Sequence, residues 1–382
     1  MDFTLSPEHQ LFRDTVREFA DKEIAPKAVE IDQTHEFPWD SLKKMAALGL
    51  MGVPFPEEYG GAGGDTLMYA MAVEEISRVD GSTGITLAAH TSLGASPFYL
   101  FGTPEQKEKY LKPLASGQKL GAFGLSEATA GSDAGGTKTT AVLEGDEWVI
   151  NGSKNWITSG SIADTLVFTA VTDKAKGAHG ISNFIVEKGT PGFEYGKTEK
   201  KMGLRASVTS QLFFDNMRIP KENILGAPTD GFKQFMQILD GGRISIGAMA
   251  LGLAQGAYDI AVKYAKERQQ FGRPIADFQA IQFKLADMAT QIEAARLLIY
   301  RSAWLKDQHL PFGKEAAMAK LFASEIGEFV CREAIQILGG YGYVEEYQVE
   351  RMYRDVRLTT IGEGTSEIQR IVIARHLLRE VK

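Results

Sequence analysis

Several features that would have narrowed the chemistry at once are missing or scarce in this sequence. There is one cysteine, Cys331, in 382 residues, so no disulfide can close within the chain and a reducing compartment is the natural setting. No uninterrupted apolar run approaches the roughly 18 residues that would suggest a membrane span. The opening Met1-Asp2-Phe3-Thr4 has neither a basic nor an apolar stretch, which sets the expectation of a cytoplasmic protein without a secretion signal. Positive charge is in deficit: 42 Lys and Arg against 49 Asp and Glu leave a net charge of −7, and this argues against nucleic acid as the main partner. The six histidines (His9, His35, His90, His179, His309 and His376) are scattered and never paired at ligand spacing, so no metal is expected. The G-x-x-x-x-G-K-[S/T] phosphate loop, a G-x-G-x-x-G turn between strand and helix, and the G-x-S-x-G elbow are all absent. P-loop hydrolysis, a Rossmann dinucleotide site and serine-nucleophile chemistry drop out with them.

What is present is ordinary in bulk: 44% hydrophobic and 24% charged residues, which excludes extended disorder and leaves ample material for cores. Glycine, with 40 occurrences, is the unusual count. The length suits two or three domains, and the hydrophobic period changes twice along it. Residues 1–116 read as helical. Ser6 can cap, Pro7 suits a first turn, Phe12, Val16 and Phe19 recur at helical spacing, and a helix resumes near Thr66 after the Gly60–Gly64 cluster. Residues 117–228 read with a period of two. Ala141-Val142-Leu143 and Trp148-Val149-Ile150 flank a four-residue hairpin loop, and further strands lie near Thr165–Phe168, Asn183–Val186 and Gln211–Phe214. Few helical patterns interrupt them, so the expectation is an antiparallel β-domain. Residues 229–382 return to helical spacing. Ile246, Met249, Ala250, Leu253, Ala257, Ile260, Ala261 and Tyr264 form one stripe, Met318 to Val330 another, and about four helices predict a bundle. The fold class expected is therefore α+β.

Five glycine-containing segments could carry chemistry, and each also has a plainer reading. Phe123-Gly124-Leu125-Ser126-Glu127-Ala128-Thr129-Ala130-Gly131-Ser132-Asp133 leaves backbone N–H groups accessible to an anion, or is a surface loop. Lys154-Asn155-Trp156-Ile157-Thr158-Ser159-Gly160 could stack an indole on a planar cofactor, or simply bury a tryptophan. Arg268-Gln269-Gln270-Phe271-Gly272-Arg273 offers a phosphate contact, or a solvated helix end. Gln336-Ile337-Leu338-Gly339-Gly340 permits close approach of a ligand, or caps a helix. In Thr360-Ile361-Gly362-Glu363-Gly364-Thr365-Ser366-Glu367-Ile368-Gln369, Ser366 and Gln369 fit a capping box, so the last helix should begin there. Glu363 is either a cap partner of Thr360 or, between two glycines, a free carboxylate suited to general-base work.

Together and in this order, the five segments resemble the acyl-CoA dehydrogenase family over essentially the whole chain. Leu239-Asp240-Gly241-Gly242-Arg243 and Tyr353-Arg354-Asp355-Val356-Arg357 fit as well. The resemblance implies an N-terminal helical domain, a middle β-domain and a C-terminal four-helix bundle, assembled as a homotetramer around FAD. By position, Phe123, Leu125 and Ser126 would meet the flavin, with Trp156 and Thr158 flanking it. Arg268, Phe271, Gln336, Gly339 and Gly340 would reach the FAD of a neighbouring subunit, and Thr365 and Glu367 would lie along the dinucleotide. Ser132, Leu239, Asp240 and Arg243 would line the path of the CoA thioester, with Gly362 and Gly364 beside the reacting carbons. Glu363 would take the α-proton while the flavin accepts the β-hydride, and the electrons would pass to an electron-transferring flavoprotein.

Three departures bear on substrate. Straight-chain members carry Tyr directly before the catalytic Glu, where this chain has Gly362; the lost ring opens the acyl pocket. Isovaleryl-type enzymes also have Gly there but place their base at the position of Gly242, which cannot act. Glutaryl-type enzymes hold a distal carboxylate with Arg at the position of Gly84, so a dicarboxylic substrate is not expected. The reading is a short-chain acyl-CoA, with branched or alicyclic chains admitted. Rival readings are an enoyl-CoA reductase of the same fold, an acyl-CoA oxidase, and a non-catalytic CoA-binding helical scaffold.

Overall fold

A computed structural model describes residues 4–380; the Met1-Asp2-Phe3 start lies outside them. The first helix, Pro7–Phe19, begins as expected, with the Ser6 hydroxyl accepting from the His9 N–H at 3.2 Å. Helices Thr66–Val79 and Gly81–Ala89 are each capped by an aspartate: Asp65 accepts from Met68 N–H and Asp80 from Thr83 N–H, both at 2.7 Å. The second of these runs into a π-turn, His90–Ala95, a widened, underwound segment of the kind that recurs at functional sites.

Eight strands follow: β1 (Gly121–Gly124), β2 (Thr140–Glu144), β3 (Glu147–Thr158), β4 (Thr165–Val171), β5 (Ile181–Glu187), β6 (Phe193–Thr198), β7 (Thr209–Pro220) and β8 (Ile224–Leu225). Their order is β6-β7-β3-β2-β4-β5-β8, with β1 paired to β4. The antiparallel expectation is corrected at two places, which make the sheet mixed: β1 runs parallel to β4, and β2 meets β4 in parallel at Thr140 and Val171. Neither pair is joined by a tight turn, so no hairpin imposes direction on it. The β2–β3 hairpin also turns more tightly than expected. Glu144 pairs with Glu147, leaving a two-residue turn at Gly145 (φ 63°) and Asp146.

The remaining chain forms the long helix Gly231–Glu267, then Gln279–Asp307, Gly313–Leu338, the short Val349–Val356 and the terminal helix Ser366–Glu380. By length and composition the long helix could cross a membrane, but most of its apolar window is buried inside the protein. It crosses Thr66–Val79 closely at Gly252 and Gly256, where a Cβ would lie 2.2 and 2.0 Å from backbone oxygens of Glu74 and Arg78. The terminal helix is not capped by Ser366, whose hydroxyl has no partner among the described residues. Thr365 caps it instead, accepting from Ile368 N–H at 3.3 Å. Gln369 turns away from a capping box towards the preceding loop.

Three apolar clusters hold the fold. One joins the N-terminal helices to the bundle, and one lies within the sheet around Trp148, Phe168, Phe184 and Phe214. The third, with Phe98, Phe123, Val167, Phe235 and Ile238, ties helices, sheet and long helix together. Leu93, Leu125 and Leu239 pack against it, so candidate residues from two distant stretches, Phe123 with Leu125 and Leu239, meet on this junction beside Leu93.

Candidate active site

Glu363 stands in the left-handed region at φ 52°, followed by Gly364 at φ 91°. This backbone lifts the carboxylate off the chain and lays it on the long helix. Its Oε2 is closed off from solvent and has no hydrogen-bond partner among the described residues. A Cβ on Gly242 would lie 2.1 Å from that oxygen and 3.5 Å from Leu93 Cδ2, so the carboxylate occupies the volume that any side chain at 242 would need. The capping reading of Glu363 fails on geometry. Thr360 belongs to a 3₁₀ turn, Arg357–Thr360, and its hydroxyl donates to the Glu328 carboxylate at 3.0 Å instead.

The electrostatics are those of a half-buried carboxylate with one oxygen closed off from solvent. Burial pushes Glu363 up to about 7 against the opposing charges of Lys320 and Arg243. Arg243 is buried, pairs with Asp240, and leaves its Nε without a partner among the described residues; burial pulls its guanidinium down. Lys320 is buried in the helix Gly313–Leu338, and burial brings its ammonium down to about 8 while Glu363 opposes that shift. Its Nζ donates to the Gly364 carbonyl at 2.7 Å. Buried Tyr69 donates to the Ala88 carbonyl at 2.8 Å, and burial raises its phenol, with the Glu363 charge adding to the effect.

The second group of candidates surrounds the end of β3. The β3–β7 register slips between Lys154 and Ile157, Trp156 takes a left-handed φ of 64°, and its indole is left 62% exposed. That excludes the plain buried-tryptophan reading. Asn155 N–H donates to the Ser126 carbonyl at 2.8 Å, drawing Leu125 and Ser126 alongside Trp156 and Thr158. Beneath them the Lys154 ammonium donates to Glu127 at 2.7 Å, Thr169 at 2.9 Å and the Leu125 carbonyl at 3.3 Å. Glu127 also accepts from the N–H groups of Lys138 and Thr139. Burial brings Lys154 down to about 8 against the pull of Glu127. Ser132 is exposed on the loop beyond.

A third group lies elsewhere. Arg268, Gly339 and Gly340 line a groove of about 500 Å³ with Tyr264 and Tyr341, and the Arg268 guanidinium sits 5.5 Å from the Tyr341 ring. Gly339 (φ 60°) caps the helix Gly313–Leu338, and a Cβ on either glycine would meet nothing. Gln336 is exposed beside them, and Phe271, 91% exposed, tops the small hairpin that follows the long helix. From Gly242 to Arg268 the helix rises about 39 Å, so one chain does not bring this groove to Glu363. Thr365 and Glu367 stand at the start of the terminal helix, Thr365 as its cap and Glu367 in its first turn.

Of the functional neighbours, Lys320, Lys154 and Glu127 escaped the sequence reading as site residues. A lysine between Met318 and Leu321 in an apolar stripe was the available signal for the first. Lys154 stood inside a quoted motif, on a strand position that turns out wholly buried.

The residues present fit a flavin dinucleotide. A bare indole stands beside accessible hydroxyl and backbone groups, and a separate basic, glycine-walled groove is left open. Family comparisons agree with this geometry. The N-terminal, middle and C-terminal domain models of acyl-CoA dehydrogenase match residues 6–118, 122–217 and 229–378. A short-chain specific acyl-CoA dehydrogenase of Clostridium acetobutylicum is 54% identical over 99% of this chain and 100% of its own. The butyryl-CoA dehydrogenase structure from Megasphaera elsdenii is 49% identical with a TM-score of 0.97, covering 99% of this chain and 100% of that one. A chain in a structure of the electron transferring flavoprotein of Acidaminococcus fermentans is 54% identical with a TM-score of 0.98, over 99% and 100%. The chain belongs to the acyl-CoA dehydrogenase family, and its cofactor is FAD.

Proposed function

We propose that this enzyme oxidises short acyl-CoA thioesters to trans-2-enoyl-CoA with Glu363 as the base, and passes the electrons to an electron-transferring flavoprotein. The observation that carries the reading is the unpartnered Glu363 Oε2, buried on the long helix above Gly242. A carboxylate without a hydrogen-bond partner, raised to about 7, is half ionised near neutral pH and basic enough to take an α-proton. When bound, FAD supplies the hydride acceptor. Phe123, Leu125, Ser126, Trp156 and Thr158 hold it, with Thr365 and Glu367 along the dinucleotide. Leu239, Asp240, Arg243 and Ser132 guide the thioester, and the buried setting excludes water from the ionised base. The Arg268, Phe271, Gln336, Gly339 and Gly340 groove serves a neighbouring copy in a homotetramer, which accounts for its distance from the base.

The substrate reading rests on Gly362. A Cβ there would meet Leu358 only at ordinary contact distance, 3.6 Å, so packing does not require glycine and its small size leaves room beside the reacting carbons. Gly364 (φ 91°) by contrast is held to glycine by its backbone. Gly84 faces Ser77, whose Oγ would lie 2.0 Å from a Cβ; a side chain there requires Ser77 to shift, and the chain carries no arginine at this position, in keeping with a monocarboxylic substrate. Anaerobic flavin bleaching by butyryl-, isobutyryl-, isovaleryl- and cyclohexanoyl-CoA tests the assignment. Short and branched thioesters should bleach the flavin, and bleaching by long straight chains alone would overturn the substrate class.

A further inference from the structure

Among the described residues, Lys320 is the one ammonium that donates to the base loop. It is wholly buried and bonds to a backbone carbonyl, that of Gly364, at 2.7 Å rather than to a carboxylate. Burying an ammonium is costly unless it is paired, and any neutral amide could donate to a carbonyl. Glu363 has a requirement of its own. A non-glycine residue at φ 52° is strained and persists only where its surroundings hold it. Its carboxylate cannot do the holding, because Oε2 has no partner. The conformation is gripped through the two carbonyls of the loop. Lys320 takes Gly364, and Gln369 Nε2 donates to the same carbonyl at 2.9 Å and to that of Glu363 at 3.3 Å.

We propose that Lys320 is a positioning residue for the reaction: it clamps the Glu363–Gly364 backbone through the Gly364 carbonyl and sets the field in which the carboxylate ionises. The inference rests on Glu363 being the base. The charged and titratable groups around the pair come from every packed element. They are Arg243 with its partner Asp240 on the long helix, Tyr69 on Thr66–Val79, Glu325 on Lys320's own helix, and Glu367 and Arg370 on the terminal helix. Arg370 is bonded to Glu325 and Arg243 to Asp240, which leaves Lys320 as the cation without a carboxylate partner beside Glu363.

The test uses the flavin-loaded enzyme and the rate of anaerobic flavin reduction by butyryl-CoA from pH 6 to 9, in Lys320→Met and Lys320→Arg. Lys320→Met should lower the limiting rate about 10²-fold, as loss of alignment does, with KM within about threefold. It should also raise the pH midpoint of the rate by about one unit, because an opposing cation is gone. Lys320→Arg should keep the midpoint and lose less than about tenfold in rate. A Lys320→Met enzyme with wild-type rate, or one slowed at an unmoved midpoint, overturns the proposal. Should Lys320→Met fail to retain flavin, Lys320→Arg decides, and a moved midpoint there overturns it. Glu363→Gln separates the two levels: full activity in that variant removes the base assignment itself, whatever Lys320 does.

Discussion

Two buried charge clusters in this molecule are built on opposite terms. Under the Trp156 loop, Lys154 and Glu127 are bonded to each other, and every remaining donor or acceptor is directed to a hydroxyl, a carbonyl or a backbone N–H. Despite its burial, Glu127 is held below the usual carboxylate range by Lys154 and those N–H groups. Across the junction, Glu363 sits near two buried cations, bonds to neither with Oε2, and is pushed up to about 7. The first arrangement fixes a loop; the second leaves a buried carboxylate oxygen unsatisfied among the described residues, as the proposed base role requires. The contrast lies in the partners, which a list of charged residues would not reveal.

The comparison breaks most severely at Glu363. Glu363→Gln should keep the yellow colour and lose at least about 10³-fold in flavin reduction by butyryl-CoA. In the wild type, kcat/KM should rise with pH through a midpoint near 7, since the working form is the ionised one. Stability should move the other way. A carboxyl raised from 4.5 to about 7 binds its proton more tightly when folded. Its contribution is therefore present below pH 4.5 and lost as pH rises towards 7, a cost of about 3 kcal/mol. Thermal denaturation at pH 8 should find Glu363→Gln more stable than wild type, and an unchanged Tm would contradict the buried, unpaired state.

Removing Lys154 should do the reverse. Lys154→Met strands the buried Glu127 charge and should cost about 3–5 kcal/mol, read as lowered denaturant midpoint and weakened FAD retention. The double variant with Glu127→Gln should recover much of that loss. Gly242→Ala should come next. Its methyl group meets Glu363 Oε2, so flavin reduction should fall about 10²-fold while urea stability changes by less than about 1.5 kcal/mol. The smallest effect belongs to Gly362→Ala, where the space is open. Competing butyryl- and isovaleryl-CoA should show a shift of roughly 10-fold or less towards the straight chain, with stability unchanged within about 0.5 kcal/mol.

Much of this was legible locally. The Ser6 cap, the strands around Trp148 and Phe168, and the stripe from Ile246 to Tyr264 follow from spacing alone, because period and capping are short-range properties. The Glu363 loop announced itself by its flanking glycines. The π-turn that carries Leu93 did not, since the residues His90–Ala95 carry no pattern that distinguishes a widened turn from an ordinary helix. The contact of Glu363 with Gly242 joins residues far apart in sequence, and only the fold brings them together. The parallel pairing of β1 with β4 was missed for the same reason. Residue periodicity reports which face is buried and says nothing of strand direction when no hairpin intervenes.

The volume shared by Gly242 and Glu363 also constrains how an enzyme of this shape can change. A carboxylate on the helix and a carboxylate on the loop compete for one space, so no single chain on this backbone can hold both and let one cover for loss of the other. Moving the base between the two addresses requires a descendant that has surrendered the first before gaining the second, or a backbone that shifts to admit both. The occupied glycine is thus a barrier between lineages, since the first atom of any side chain there would lie 2.1 Å from the carboxylate oxygen.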